Sequence, residues 1–252
     1  MTAASPIISL TQVSKSFNKS RSAPAYVAVD RLDLQVGQGQ LLALLGKTGC
    51  GKSTIFNMIA GLTEPTTGTV RVSGRDPFAD FDSFRGKMAI VFQNDRLLPW
   101  RTAVQNVELG LEMLDVALQR RKETAMHWLG TLGLRGHEND YPHALSGGMR
   151  QRVSIARAFA TDANILLCDE PFSALDEMTG RTLRAEFVRL VKENGKTALF
   201  ITHSINEALE IGDRIVVLKR PAVIAYDVSF DTATGQEERE LIRSRIGEVL
   251  AA

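Results

Sequence analysis

The chain has 252 residues, 44% of them hydrophobic and 23% charged, with a formal net charge of +1. This is the composition of a globular chain long enough to bury a sizeable core, and its balanced charge gives no reason to expect nucleic acid or an anionic surface as the main partner. Its two cysteines, Cys50 and Cys168, form no CxxC pair, which argues against a disulfide framework or zinc site and fits a reducing compartment.

The opening stretch "MTAASPIISLTQVSKSF" lacks a basic region followed by an apolar one, so no secretion signal is expected. No apolar run approaches the roughly 18 residues of a membrane span. Work at a membrane would need other chains to do the spanning. In "AVDRLDLQVGQG", Leu32, Leu34 and Val36 alternate with polar residues and predict a strand. "LLALLG" reads as a fully buried strand, and a glycine loop follows it. "KSTIFNMIAGL" then predicts a helix with Ile55, Met58, Ile59 and Leu62 at helical spacing and Gly61 near its end. "GTVRVSG" is another short strand.

Between about Asp95 and Ser146 no strand pattern occurs. "TAVQNVELGLEML" places Val104, Val107, Leu111 and Leu114 on one helical face, and "RRKETAMHWLGTLGL" does the same with Ala125, Met126, Leu129 and Leu132. This reads as a helical insert, about residues 95–160, within a single domain spanning 1–252. Strands return with "NILLCDEP" and "TALFITH", separated by the helical "TGRTLRAEFVRLVKENG". "DRIVVLKR" and "AVIAYDVSF" follow, the latter with Ile224, Tyr226, Val228 and Phe230 on one face, and the helix "EERELIRSRIGEVL" closes the chain. The order predicts an α/β fold with a mostly parallel sheet flanked by helices.

"GKTGCGKS", Gly46 to Ser53, matches the phosphate-loop pattern in full and stands between a strand and a helix, the context that pattern requires. Glycines let successive backbone N–H groups turn toward phosphate oxygens. Lys52 adds a full charge at the β/γ-phosphates, and Ser53 offers a hydroxyl to Mg²⁺. Cys50 need only be small there. "ILLCDEP" ends an apolar strand with two carboxylates: Asp169 suits the Mg²⁺ shell, and Glu170 suits the polarisation of an attacking water. The plain alternative is a solvated charge pair at a strand end. His203 ends the strand "LFITH", on the side where open α/β sheets bind ligands, and is expected to touch the γ-phosphate. His127, His137 and His143 read as structural or exposed. Gln93 in "VFQ" sits at another strand end and fits a Mg²⁺ or water contact.

A second glycine loop, Ser146-Gly147-Gly148, precedes the basic amphipathic run "MRQRVSIARA". Ser146 alone could cap that helix. Two glycines instead suit close approach of a phosphate, with the Ser146 hydroxyl donating. Since one loop already wraps one side of ATP, the second could serve the ATP of another copy, in a self-complementary pair. "SALDE" has turn chemistry for such an interface, with capping of the next helix as the plain role of Asp176.

The series "GKTGCGKST", "VFQ", "LSGGMRQRVSIARA", "ILLCDEP", "SALD" and "ITH", in this order, resembles the ATP-binding subunit of ABC transporters over nearly the whole chain. The resemblance implies a P-loop NTPase fold with a mostly parallel central sheet, an N-terminal antiparallel β subdomain and a helical insert. It implies an ATPase that uses ATP and Mg²⁺. Its binding set would be Gly46, Lys47, Thr48, Gly49, Cys50, Gly51, Lys52, Ser53 and Thr54, with Ser146, Gly147 and Gly148 acting on a second copy's nucleotide. Ser53, Gln93 and Asp169 would hold the metal, and Lys52, Gln93, Glu170 and His203 would be catalytic. Phe17 would stack on adenine, with Tyr26 as its rival because the segment "NKSRSAPAYV" between them is long. Met149 and Lys47 stand where the family often has Gln and Pro, at positions whose side chains are dispensable.

"DRLLPWRTAVQNVELGLE" and "PFSALDEMTGRTL" further resemble the importer ATPases for nitrate, aliphatic sulfonates and taurine. That resemblance implies a homodimer on two permease subunits at the cytoplasmic face of the inner membrane, a solute-binding protein, and no nucleic acid. A soluble ABC-type ATPase is the alternative. Members of that kind in translation usually carry two such domains, and those in DNA repair carry long coiled coils. A small-molecule kinase leaves "LSGG" and Glu170 without a use.

Overall fold

The computed structural model describes residues 5–18, 25–230 and 234–252. The elements in chain order are β1 (Ile8–Phe17), β2 (Tyr26–Val36), β3 (Leu41–Gly46), α1 (Lys52–Ile59), β4 (Thr67–Val72), β5 (Met88–Val91), α2 (Ala103–Met113), α3 (Leu118–Thr131), α4 (Gly147–Ala160), β6 (Ile165–Asp169), α5 (Glu177–Glu193), β7 (Thr197–Thr202), α6 (Ile205–Ile211), β8 (Arg214–Lys219), β9 (Val223–Ser229) and α7 (Gln236–Ala251). They fall into two compact units, residues 1–84 with 197–252, and residues 85–196. Among the described residues no helix is long and apolar enough to cross a membrane.

The first unit holds an antiparallel sheet ordered β2-β1-β4. Ile8 of β1 pairs with Val36 and Val72, and Leu10 with Leu34 and Val70, so the alternating apolar residues share one face. The unit's other strands run β7-β3-β8-β9, with β3 parallel to β7 and β8, and β9 antiparallel to β8. All six residues of β3 are buried, as expected of a parallel strand covered on both faces. Ala43 and Leu45 of β3 pack with Ile215 and Val217 of β8, Ala208 and Leu209 of α6, and Ile242 and Ile246 of α7. Tyr226, Val228 and Phe230 press on the same cluster, as the alternation in β9 predicts.

Two positions read as part of an apolar helical face prove exposed. Leu62 is 54% exposed because α1 stops at Ile59. There Gly61 adopts a φ of 72°, its N–H donating to the Met58 carbonyl while the Leu62 N–H reaches back to Asn57 at 2.8 Å, a Schellman turn that ends the helix. Phe56 is buried instead. Met126 is 40% exposed while Ala125, Leu129 and Leu132 are buried, so the apolar stripe of α3 is narrower than expected. The short helix α6 was not anticipated.

In the second unit β5 lies parallel to β6, with Val91 opposite Cys168. The helices α2, α3, α4 and α5 carry the remaining core, in which Trp128 of α3, Phe159 of α4 and Phe187 of α5 meet ring on ring at centroid distances of 5.0 and 6.1 Å. The antiparallel sheet, the parallel αβ strands and the helical insert together make the expected P-loop NTPase architecture.

Candidate functional site

Both units present their chemistry at strand ends. In the first, Leu45 of β3 lies opposite Thr202 of β7, so the glycine loop and His203 leave adjacent parallel strands at one level. The loop cannot be built from other residues at two points. A Cβ on Gly46 would stand 2.6 Å from the Cys50 sulfur and 2.9 Å from the Leu218 carbonyl oxygen. Gly51 has a φ of 114°, and a Cβ there would stand 2.4 Å from the Ala28 carbonyl oxygen. Lys47, Thr48, Gly49 and Ser53 face solvent, while Cys50 fills space beneath the loop.

Two observations fit this cradle to a polyphosphate. Gly51 is the N-cap of α1, no side chain caps that end, and the first turn holds no acidic residue. The helix therefore offers its N-terminal N–H groups and positive end to something outside the chain. Lys52 is buried, its ammonium donating to the Gly46 carbonyl at 2.6 Å and the Lys47 carbonyl at 3.3 Å. Among the described residues no carboxylate pairs with it; two carbonyls orient the charge but do not neutralise it, and such a buried cation is costly until an anion arrives.

Phe17 and Tyr26 are direct cross-strand partners. The Tyr26 hydroxyl donates to the Gly49 carbonyl at 3.3 Å, and the Arg220 guanidinium covers its ring at 5.1 Å. Tyr26 thus braces the loop, whereas the Phe17 ring is 41% exposed with the Lys15 ammonium 5.2 Å from its centroid. The part of "NKSRSAPAYV" at 19–24 lies outside the described residues.

His203 is exposed. Its flanking backbone is fixed by a set of bonds that sequence reasoning did not find. The Thr202 hydroxyl donates to the Glu207 carboxylate at 2.5 Å and accepts from the Ser204 N–H at 2.9 Å, while the Ser204 hydroxyl caps α6 at Glu207. A buried glutamate four residues past a strand-end histidine, in "THSINEA", was the available signal.

In the second unit, Val91 opposite Cys168 brings Gln93 and the Asp169–Glu170 pair to one strand-end level. The Gln93 amide nitrogen donates to the Ser173 hydroxyl at 3.2 Å, and that hydroxyl donates to the Glu170 carbonyl at 3.0 Å. Ser173 is thus a link that sequence reasoning read only as turn chemistry. The Gln93 amide oxygen remains as an acceptor of the kind a hard cation takes. Glu170 has a φ of 46°, a left-handed conformation rare outside glycine and typical of strained functional positions. Burial, with the Asp169 carboxylate beside it, pushes the Cys168 thiol up, so it stays protonated and inert. Among the described residues no cluster of three metal-ligating side chains occurs. The donor set suits Mg²⁺ held by few protein oxygens together with phosphates.

The second glycine loop differs. The Ser146 hydroxyl accepts from the Met149 N–H at 3.3 Å and caps α4. Its own proton remains for donation. Gly147 has open space, with nothing nearer a Cβ than Arg150 at 3.9 Å. Gly148 is held by packing, since a Cβ would stand 2.9 Å from the Thr179 methyl. Asp176 caps α5 by accepting from the Thr179 N–H at 3.0 Å, which holds its carboxyl below the ordinary range.

Asn106 was also missed. Fully buried on α2, it accepts from the Leu98 N–H at 2.7 Å and donates to the carbonyls of Leu98, Arg101 and Thr102. It fixes the loop that carries Trp100, itself 70% exposed. A polar residue between Val104 and Val107 on a buried helix was its signal.

The family model for ABC transporters matches residues 29–173. An uncharacterized ABC transporter ATP-binding protein of Methanocaldococcus jannaschii is 43% identical over 208 residues, 81% of this chain and 75% of that protein. The taurine import ATP-binding protein TauB of Yersinia pestis is 42% identical over 191 residues, 76% of this chain and 73% of that protein. The solved dimeric ATP-binding cassette MJ0796, in a post-hydrolysis state bound to ADP and Pi, superposes with a TM-score of 0.78 at 33% identity, covering 89% of this chain and 99% of that one.

Proposed function

The chain belongs to the ABC transporter ATP-binding family, and from that premise we infer that it is the ATP-hydrolysing subunit of an importer for a small polar solute. The observation that carries the reading is the uncapped N-terminus of α1 beside the buried Lys52 ammonium. Both are costly features for a chain that binds no anion and useful ones for a chain that binds a polyphosphate. The taurine importer's ATPase among the relatives supports the solute class.

In this reading the backbone of Gly46 to Ser53 and Thr54 cradles the phosphates, and Lys52 bridges the β- and γ-groups. Ser53, the Gln93 amide oxygen and Asp169 would hold Mg²⁺, which would supply neutralising charge to the phosphate oxygens. Glu170 takes a proton from water as the water oxygen attacks the γ-phosphorus and the bond to the bridging oxygen breaks. His203 donates to the γ-phosphate, and Phe17 stacks on adenine. Ser146, Gly147 and Gly148 of one copy cover the nucleotide of another, a reading supported by the dimeric, ADP- and Pi-bound state of the similar cassette. Two permease subunits and a solute-binding protein complete the importer, with this chain on the cytoplasmic face.

The test is phosphate release from MgATP by the full chain. Hydrolysis that disappears in Glu170→Gln, while ATP binding persists, is the expected result. Unchanged turnover in that variant would overturn the assignment. Recovery in the membrane fraction only when permease subunits are co-expressed tests the importer half separately.

A further inference from the structure

We propose that Arg150 and Arg157 are positioning residues that lock the segment after Gln93 to the Ser146 loop, so that the two reach ATP as one rigid piece. Both arginines lie on α4, seven residues apart, which places them on the same face. Arg150 Nε donates to the Asp95 carboxylate at 3.0 Å, and its Nη1 donates to the Leu145 carbonyl at 2.8 Å. One guanidinium therefore spans from two residues past Gln93 to the residue before Ser146. Arg157 adds two more bonds two turns along, from Nη2 to the Asp95 carbonyl at 2.8 Å and from Nη1 to the Arg96 carbonyl at 2.9 Å.

The grip is specific in shape. Each guanidinium serves two acceptors, Arg150 the Asp95 carboxylate and the Leu145 carbonyl, Arg157 the Asp95 and Arg96 carbonyls, a task that suits the planar guanidinium fork. Arg96 sits at a φ of 49°, a left-handed conformation, and its own guanidinium stacks on Phe92 at 4.1 Å. The other carboxylate oxygen of Asp95 accepts from the Leu97 N–H at 3.2 Å, so Asp95 is held from both sides. Burial lowers the Arg157 pKa and Asp95 raises it, leaving a charged guanidinium beside the loop. The far end of the same loop is fixed by Asn106. Motion of Gln93 is thereby motion of the Ser146 loop, and a ligand that draws in one draws in the other.

The consequence for ATP rests on the proposed reading of Gln93 and Ser146. The lock itself does not, and the experiment separates the two. Amide hydrogen exchange is followed in the full chain without nucleotide for Asp95→Asn, Arg150→Gln and Arg150→Lys. The Asp95 and Arg150 side chains are only partly buried, at 27% and 37% exposure, so the variants should fold with melting temperatures near that of the parent. In Asp95→Asn the amides of Gly148, Met149 and Arg150 should exchange roughly two- to thirtyfold faster, the range expected of such couplings, with α3 unchanged. Arg150→Gln should loosen Asp95 to Leu97 reciprocally. Arg150→Lys, which keeps the charge but cannot serve both acceptors, should fall between. With MgATP, the same variants should lose kcat while KM moves less than about twofold, since the loop around Lys52 is untouched. Unchanged exchange at 148–150 in Asp95→Asn would overturn the lock. Absence of hydrolysis in the parent chain would count against the ATP reading and leave the exchange result to decide the lock.

Discussion

The two glycine loops share a composition and a place ahead of a helix, yet they are built differently. At Gly46–Ser53 the helix end has no side-chain cap and a buried ammonium lies beside it; at Ser146–Gly148 the serine hydroxyl already accepts one of the helix-end N–H groups, that of Met149. A site that holds its anion alone needs the first arrangement. A site that only completes another copy's grip can keep its own helix capped and lend one hydroxyl proton, which matches the role proposed for the second. The difference teaches that glycine in a loop is not one signal: Gly51 is required by a left-handed backbone and Gly148 by the Thr179 methyl, whereas a Cβ at Gly147 would meet nothing closer than Arg150 at 3.9 Å among the described residues.

The comparison is tested most strongly at Lys52. Lys52→Ala removes a preorganised charge and should lower turnover about 10²–10³-fold, measured as phosphate release. Turnover within a few-fold of the parent would break the assignment of the first loop. Ser146→Arg should stop hydrolysis as completely while nucleotide binding to one chain, read by equilibrium titration, stays near the parent value. Next come the glycines. Gly51→Ala forces a side chain into a φ of 114° against the Ala28 carbonyl and should cost about 1–3 kcal/mol of stability by denaturant unfolding. Gly148→Ala should lose stability against Thr179, whereas Gly147→Ala should keep or gain it, by up to about 1 kcal/mol from helix propensity, and still slow hydrolysis. Equal behaviour of the two variants would erase the distinction drawn here.

The smallest effect concerns Asp176, whose folded pKa is depressed by its bond to the Thr179 N–H. A depressed carboxyl contributes stability above its unfolded pKa and loses it as the pH falls through the folded one. The stability gap between the parent and Asp176→Asn should therefore be present at neutral pH and close on acidification. A gap that widens in acid would contradict the cap.

Most of this was legible because each signal was local. The alternation of Leu32, Leu34 and Val36, the unbroken run of β3 and the spacing from Gly46 to Ser53 all lie within a few residues, and the elements follow them. Leu62 and Met126 misled because helical spacing says nothing of where a helix stops or how wide its buried stripe is. The bonds from Thr202 to Glu207, from Ser173 to Gln93 and from Arg150 to Asp95 were hidden for another reason. Two of them join residues 80 and 55 positions apart, and no periodicity links such positions. All three are hydrogen bonds beside proposed site residues that bear none of the proposed chemistry themselves, so residue type alone gave no reason to single them out.

The central claim is that the second loop serves another copy's nucleotide. It is met most directly by light scattering of Glu170→Gln with and without MgATP, at a nucleotide concentration where binding is shown to be saturated. The account predicts a mass that doubles on adding ATP, and no doubling when Ser146→Arg is introduced into the same chain. A saturated chain that keeps the mass of one copy, or one that doubles regardless of Ser146, would contradict it.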